Sequence, residues 1–113
     1  MELRIEQAGA VATVQPSGRI DSATAKDFGE RVCGLIRNGA TRVVIDFKDI
    51  AYISSAGFRA LLIAGKLVEE TQGRLALCGL NGEVRRLFDI AAFTDLFVIL
   101  PTREECIAKL ERQ

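Results

Sequence analysis

Two adjacent serines, Ser54 and Ser55, are the residues of this chain whose position best suits a chemical role. They stand directly before a stretch whose apolar residues have helical spacing, and Gly57 lies in the first turn of that stretch. The first backbone N–H groups of a helix lack partners, and the helix dipole favours negative charge there. A phosphate group on such a serine would therefore be well accommodated. The alternative is structural, because serine is also a preferred N-cap residue of helices.

Residue types that support catalysis are scarce. The chain has no histidine, which removes His-based catalytic triads, imidazole-ligated zinc sites and the usual general base. Its acidic residues form no dense cluster of the calcium-binding kind, and its glycines do not match a phosphate-binding loop. We therefore expect that the protein is not an enzyme and that it holds no metal and no cofactor.

The composition is that of an ordinary globular domain, with 49% hydrophobic and 27% charged residues. A chain of 113 residues is long enough to bury one hydrophobic core. We expect a single domain over residues 1–113. Lys plus Arg equals Asp plus Glu, at 15 each, so the charge balance gives no reason to expect a nucleic acid as partner.

Cysteine usage and apolar runs indicate the compartment. The three cysteines, Cys33, Cys78 and Cys106, are far apart and form no CxxC pair, so a disulfide scaffold is not expected. The N-terminal residues lack the apolar core of a signal peptide, and no run reaches the length of a membrane span. We expect a cytoplasmic protein that does not insert into a membrane.

The hydrophobic pattern predicts the elements that position the two serines. Residues 17–21 and 48–51 are interpreted as loops. Asp46 and Asp49 are interpreted as polar residues of the second loop and its border, with the alternative that they order the loop that leads to the serines. The predicted strands are residues 2–6, 10–16, 41–47, 74–79 and 96–100. The predicted helices are residues 23–37, capped by Asp21 or Ser22; residues 55–71, closed by Gly73; residues 82–90, capped by Asn81; and a last helix capped by Thr102.

The succession of these elements predicts an α/β fold with a mostly parallel five-stranded sheet and about four helices. A turn at residues 7–9 joins the first two strands, so the N-terminal strand is expected to be antiparallel. Residues 41–47 are rich in β-branched side chains, which favours a central strand buried on both faces. The inward side of the helix over residues 55–71 is predicted to carry Phe58, Leu61, Leu62, Gly65 and Val68.

Three stretches of the chain resemble the STAS domain, in particular the stand-alone anti-sigma factor antagonists, or anti-anti-sigma factors, of bacterial partner-switching systems. The stretches occur in the family's order and approximate spacing, so the resemblance covers essentially the whole chain. They are Gly18-Arg19-Ile20-Asp21, Val44-Ile45-Asp46-Phe47 continuing through Tyr52-Ile53-Ser54-Ser55-Ala56-Gly57, and Val84-Arg85-Arg86-Leu87-Phe88-Asp89.

The resemblance implies a signalling switch that regulates transcription. Members of this family bind a histidine-kinase-like ATPase that holds a sigma factor, and they thereby release the sigma factor. The same ATPase is an anti-sigma factor serine kinase that phosphorylates a serine at the start of the second helix. A PP2C-type phosphatase reverses this modification. The resemblance therefore implies both of these enzymes as partners of the chain.

The resemblance also assigns residues. Aligned on Gly57, the family's Asp-Ser-Ser-Gly becomes Ser54-Ser55-Ala56-Gly57, so the phosphorylated residue is expected at Ser55, with Ser54 as the second choice. Ser54 replaces the usual acidic residue. The glycine admits two interpretations, close approach of a partner backbone or packing of the helix. The expected partner-binding residues are Asp21, Ser54, Ser55, Ala56, Gly57 and Arg59.

Two other functions remain open. The chain is also compatible with an unphosphorylated STAS subunit of an ABC-type lipid-transport complex, or another STAS interaction module. A small-ligand sensor that uses the sheet edge or a surface groove belongs to a different class. No polar constellation or ligand-specific motif supports a sensor.

Overall fold

The computed structural model describes residues 1–112, which form seven strands and four helices. The strands are β1 (Leu3–Ala8), β2 (Val11–Pro16), β3 (Gly18–Ile20), β4 (Arg42–Asp46), β5 (Ile50–Ile53), β6 (Arg74–Cys78) and β7 (Val98–Leu100). The helices are α1 (Ala25–Arg37), α2 (Ser55–Glu70), α3 (Gly82–Ile90) and α4 (Arg103–Glu111). Within residues 1–112, no helix is long and apolar enough to cross a lipid bilayer.

The main sheet has five strands in the order β1-β2-β4-β6-β7. β1 runs antiparallel to β2, and the other neighbours in this sheet are parallel. The helices α1, α2 and α3 pack on one face, over a core that includes Phe28, Leu61 and Phe88. The helix α4 covers the other face, where Cys106 and Leu110 pack. The predicted α/β fold with an antiparallel N-terminal strand is confirmed.

A second, two-stranded sheet was absent from the sequence prediction. β3 and β5 pair in parallel, although both segments were predicted to be loops. Each strand is only three or four residues long, too short for alternation to be recognised in the sequence. The pairing buries Ile20, Ile50 and Ile53. These isoleucines fix the positions of the two segments that precede α1 and α2.

The start of α1 corrects another prediction. The helix begins at Ala25 with Thr24 at the N-cap, not at residue 23 after a cap at Asp21 or Ser22. The Asp21 carboxylate accepts from the N–H of Ala23 at 3.0 Å, and its backbone carbonyl accepts from the N–H of Ala25 at 2.8 Å. Asp21 therefore organises the turn before the helix. The Thr24 hydroxyl donates to the carbonyl of Arg19 at 2.6 Å instead of capping the helix.

Two details of α2 also differ from the prediction. Gln72, not Gly73, takes the left-handed conformation after the helix, with φ of 61°. Gly73 still takes part in closing the helix, because its N–H donates to the carbonyl of Val68 at 2.7 Å. A Cβ on Gly73 would clash with the carbonyl oxygen of Thr41. Glycine is therefore required at this position because two backbone segments approach each other closely. Leu62 is 40% exposed and does not face the core. Ala60 and Ala64 lie on the buried side instead.

Asp46 is not a loop residue. It ends β4, is only 4% exposed, and accepts from the N–H of Lys48 at 3.0 Å. The Nε atom of Arg103, at the start of α4, donates to the Asp46 carboxylate at 3.2 Å. Arg103 also donates to Gln15 and, at 3.1 Å, to Glu6. This polar cluster joins α4 to β1, β2 and β4.

The remaining boundaries agree with the prediction to within two residues. β1 continues to Ala8, so the turn to β2 lies at residues 9–10 and not at residues 7–9. Asn81 caps α3 through its side-chain oxygen, which accepts from Val84 N–H at 2.9 Å. Thr102 caps α4 in the same way, with a distance of 3.2 Å to the N–H of Glu105. β7 begins at Val98, two residues later than predicted, and continues to Leu100.

Candidate functional site

The candidate site is built where β5 leads into α2. Ser54 is the N-cap residue of this helix and has extended backbone angles. Its side-chain oxygen accepts from the backbone N–H of Gly57 at 3.3 Å, and its own N–H donates to the carbonyl of Ile20 at 2.8 Å. The structural role that the sequence offered for one of the two serines therefore belongs to Ser54.

Ser55 has a different environment from its neighbour. It is the first residue of α2 and is exposed, whereas Ser54 is half-buried. Across residues 1–112, its hydroxyl has no hydrogen-bond partner. The first turn of α2 also carries no acidic residue. An accessible, uncommitted hydroxyl thus lies at the positive end of the helix dipole, where added negative charge is favoured.

Gly57 is buried against the small sheet. A Cβ at this position would lie 2.6 Å from Cγ1 of Ile53 and 2.8 Å from Cγ2 of Ile20. It would also lie 3.1 Å from the carbonyl oxygen of Ile20. The geometry accounts for the glycine through packing of the helix, the second of the two interpretations of the sequence. Its absent side chain lets the first turn of α2 rest directly on β3 and β5.

Asp21 lies on the same edge as the serines. Because β3 and β5 are parallel and Ile20 pairs with Ile53, their carboxyl ends meet there. The Nε atom of Arg19 is 3.8 Å from the Asp21 carboxylate, and its guanidinium lies 4.3 Å from the centre of the Tyr52 ring. Sequence analysis did not identify Arg19 and Tyr52 as neighbours, because their contact depends on the unpredicted pairing of β3 with β5.

A groove of about 560 Å³ runs along the seam between α1 and α2, and Ser55 lies in its wall. The two helices approach each other closely here, as the position of Gly29 shows. A Cβ on this residue would lie only 3.2 Å from Cβ of Ala60. Sequence analysis missed this groove, although small residues on the two helices are a signal for close packing. The apolar or small residues that line it are Ala25, Gly29, Cys33, Ala56, Ala60 and Ile63.

The charged residues of the groove are mostly basic. Lys26, Arg37 and Arg59 line it together with one acidic residue, Glu30. Arg59 is exposed, as the sequence predicted. Burial raises the pKa of the Cys33 thiol, and the charge of nearby Arg37 offsets only part of this effect. The thiol is therefore neutral near pH 7, and the groove presents an apolar floor with a positive rim.

The structure thus brings most of the predicted site residues to one region. Ser54, Ser55, Ala56 and Gly57 form the first turn of α2, and Asp21 lies beside them at the end of β3. Ser54 and Gly57 contact the protein's own backbone and core. Ser55 and Arg59 are exposed, and both line the groove.

Comparison with known protein sequences gives a consistent picture. The STAS domain family matches residues 2–106. BtrV of Bordetella bronchiseptica, a proposed anti-sigma factor antagonist, is 32% identical over 108 residues, covering 96% of this chain and 93% of BtrV. The anti-sigma-B factor antagonist of Bacillus subtilis is 33% identical over 86 residues, covering 76% of this chain and 78% of that protein.

Solved structures share the fold. A proposed anti-sigma factor antagonist of Thermotoga maritima superposes with a TM-score of 0.91 at 18% identity, over 97% of this chain and 95% of that one. The Bacillus cell fate determinant SpoIIAA in its phosphorylated form gives a TM-score of 0.72 at 19% identity, over 96% of this chain and 98% of that one.

Proposed function

Because this chain belongs to the STAS domain family, we propose that it is an anti-sigma factor antagonist controlled by phosphorylation of Ser55. It binds a histidine-kinase-like anti-sigma factor in the cytoplasm and thereby releases the sigma factor. The names of its relatives support the antagonist role. The protein acts by binding and not as an enzyme.

The main support for the proposal is that the side chains of the two serines differ in hydrogen bonding and exposure. The Ser54 side chain caps α2 by accepting from Gly57 N–H. Ser55, one residue later, is exposed and has no partner within residues 1–112. Phosphate on Ser54 would compete with the cap, whereas phosphate on Ser55 leaves the cap in place. This favours Ser55 as the acceptor.

The phosphoryl transfer is the chemistry of the kinase. Oγ of Ser55 forms a bond to the γ-phosphorus of ATP, the bond between that phosphorus and the β,γ-bridging oxygen breaks, and ADP leaves. The hydroxyl proton passes to a base on the kinase. A PP2C-type phosphatase reverses the modification by hydrolysis, which returns the serine and inorganic phosphate.

Phosphorylation switches binding through charge and size. It adds between about 1.5 and 2 negative charges at pH 7, at a helix end that tolerates them. The fold therefore survives. A partner packed against the start of α2 meets a bulky dianion, and loss of such a contact weakens binding on the order of a hundredfold. Asp21, Ala56 and Arg59 belong to the same proposed surface, while Ser54 and Gly57 maintain its shape.

The test uses each histidine-kinase-like ATPase of the source organism, purified and incubated with this protein and ATP. Phosphopeptide mapping is compared for wild type, Ser55→Ala and Ser54→Ala. We expect phosphate on Ser55 that is absent only from the Ser55→Ala protein. Phosphate on Ser54 would move the acceptor, and a stable complex without phosphate would indicate an unphosphorylated binding module. Neither phosphate nor complex with any of these ATPases would refute the proposed function.

A further inference from the structure

The α1–α2 groove combines small and apolar lining residues with exposed side chains of α2. Ser55, Arg59 and Ile63 line it and are spaced four residues apart on α2, so they lie on one face of that helix. At 1.5 Å per residue they span about 12 Å. Ile63 is 52% exposed, so part of a large aliphatic side chain is accessible beside the apolar floor.

Unpaired positive charge surrounds this floor. Glu30 lies 4.0 Å from Lys26, so the one acidic residue of the groove is already associated with a lysine. Arg37 and Arg59 form no ion pair with any residue between 1 and 112. The start of α2 adds the positive end of a helix dipole at the Ser55 end of the groove. An occupant that complements these charges is acidic.

We propose that the groove binds an acidic amphipathic segment of the anti-sigma factor. An apolar side chain of that segment enters the groove between Gly29, Ala60 and Ile63, and its carboxylates contact Arg59 and Arg37. This inference rests on the proposed function and names the part of the partner that the surface recognises.

The same arrangement gives Ser55 phosphorylation a specific target. Ser55 and Arg59 are separated by one helical turn, a spacing at which oppositely charged side chains interact. A phosphate on Ser55 pairs with Arg59 and removes the cation that the partner's carboxylate contacts. Phosphorylation then lowers affinity in two ways, by repelling the acidic segment and by neutralising its contact.

Two matched pairs of variants test the groove, with affinity for the cognate ATPase as the readout. Ile63→Ser and Leu62→Ser each remove an exposed aliphatic side chain from α2, but only Ile63 lines the groove. Arg59→Glu and Lys66→Glu each reverse an exposed charge on α2, but only Arg59 lines the groove. We expect Ile63→Ser and Arg59→Glu to weaken binding about tenfold or more, and the two controls to change it less than about twofold. Equal effects within a pair would overturn the proposal.

Cross-linking identifies the partner segment that binds in the groove and hence its amino-acid composition. A photo-reactive benzoylphenylalanine at position 63 is expected to label a partner segment that alternates apolar and acidic residues, and the same group at position 62 is expected to label it weakly. Attachment at position 63 to a basic segment would contradict the proposal.

The role of Arg59 in the switch has its own test. Ser55→Asp is combined with Arg59→Gln, and the loss of affinity caused by Ser55→Asp is compared in the two backgrounds. We expect a smaller loss when Arg59 is already absent, because the effect of charge at position 55 depends in part on the contact of Arg59 with the partner. An equal loss in the two backgrounds would contradict the competition for Arg59.

The outcomes separate the inference from the proposed function. If none of the ATPases binds the wild-type protein, the proposed function fails and this inference fails with it. Binding that is insensitive to both groove substitutions would overturn only the inference.

Discussion

The side-chain oxygen of Ser54 accepts a hydrogen bond from the backbone N–H of Gly57 at 3.3 Å, which makes the first of two adjacent serines the cap of α2. The second serine has no such bond and is exposed. Of these two neighbouring serines, the first therefore stabilises the helix, and the second is accessible at the surface.

Substitution of the two serines is therefore expected to have unequal effects on stability. Ser54→Ala removes the cap and is predicted to lower the free energy of unfolding by about 1 kcal/mol. Ser55→Ala breaks no hydrogen bond to any residue between 1 and 112 and is predicted to change the free energy of unfolding by less than about 0.5 kcal/mol. Urea denaturation of both variants measures the difference. A larger loss for Ser55→Ala would contradict the assigned cap.

Negative charge at the accessible position is predicted to stabilise the fold. α2 has no acidic residue in its first turn, so Ser55→Asp is expected to raise the free energy of unfolding by about 0.3–1 kcal/mol at low salt. The gain should shrink in 1 M salt, because the interaction is screened. Thermal or urea unfolding at the two salt concentrations checks this. If Ser55→Asp destabilised the domain, reduced partner binding by that variant would no longer separate a switch from unfolding.

Gly57→Ala is predicted to destabilise the protein through overpacking. Its Cβ would lie 2.6 Å from a side-chain atom of Ile53 and 3.1 Å from the carbonyl oxygen of Ile20. Such clashes cost about 1–3 kcal/mol, more than the roughly 1 kcal/mol that alanine gains over glycine within a helix. The matched control is Gly34→Ala in α1, where a Cβ would meet no atom of residues 1–112 within 4 Å apart from its own stretch of helix. That variant is expected to be neutral or more stable, so destabilisation of both to the same extent would argue against the packing explanation.

The Asp46–Arg103 pair is predicted to be important for stability, because both side chains are largely buried, at 6% and 18% exposure. Arg103→Met leaves the Asp46 carboxylate without its partner and is expected to cost about 3 kcal/mol. Adding Asp46→Asn should recover part of the loss, since no buried charge then remains unpaired. Arg85→Met removes an exposed pair with Asp89, at 3.8 Å, and serves as the control. Its expected cost is below about 0.5 kcal/mol, and urea denaturation compares all of these variants.

Buried thiols predict a loss of stability in alkaline solution. The clearest case is Cys33, whose pKa is raised by burial, an effect that the charge of nearby Arg37 offsets only in part. Below about pH 8.5, the ordinary pKa of a thiol, the buried thiol is protonated in both the folded and the unfolded protein, so the folded state retains its full stability. As the pH rises above that value, the unfolded chain loses protons that the folded chain keeps, so the free energy of unfolding falls.

Urea denaturation between pH 7 and pH 10 measures this effect, and Cys33→Ala should reduce the slope. A slope unchanged by that substitution would show that other groups cause the loss. Thiol labelling at pH 8 gives an independent check, because all three cysteines are buried. They are expected to react slowly in the folded protein and rapidly in denaturant.

The long elements of the fold were predictable because their signals are local. The helical spacing of apolar residues in α1 and α2 and the β-branched run of β4 lie within single stretches of sequence. The short strands β3 and β5 have no comparable signal. They form because each supplies the other's hydrogen bonds, and the partner of each is distant in the sequence.

The site was predictable in part for the same reason. The adjacent serines and the first helical turn are local features, so Ser54, Ser55 and Gly57 were found together. The groove depends on how α1 packs against α2, and the contact between Arg19 and Tyr52 depends on β3 pairing with β5. Likewise, the position of Asp46 next to Arg103 arises only when α4 folds back over the sheet.

The β3–β5 pairing also affects the order of folding. It joins Gly18 to Ile50, so its formation closes a loop that contains α1 and β4. Closing so long a loop costs entropy before the contact stabilises anything, which delays non-local pairings relative to helices. The backbone of Ser54 is anchored to Ile20 through this pairing. The final geometry around Ser55 therefore depends on a non-local pairing, and a chain in which β3 and β5 have not yet paired does not present it.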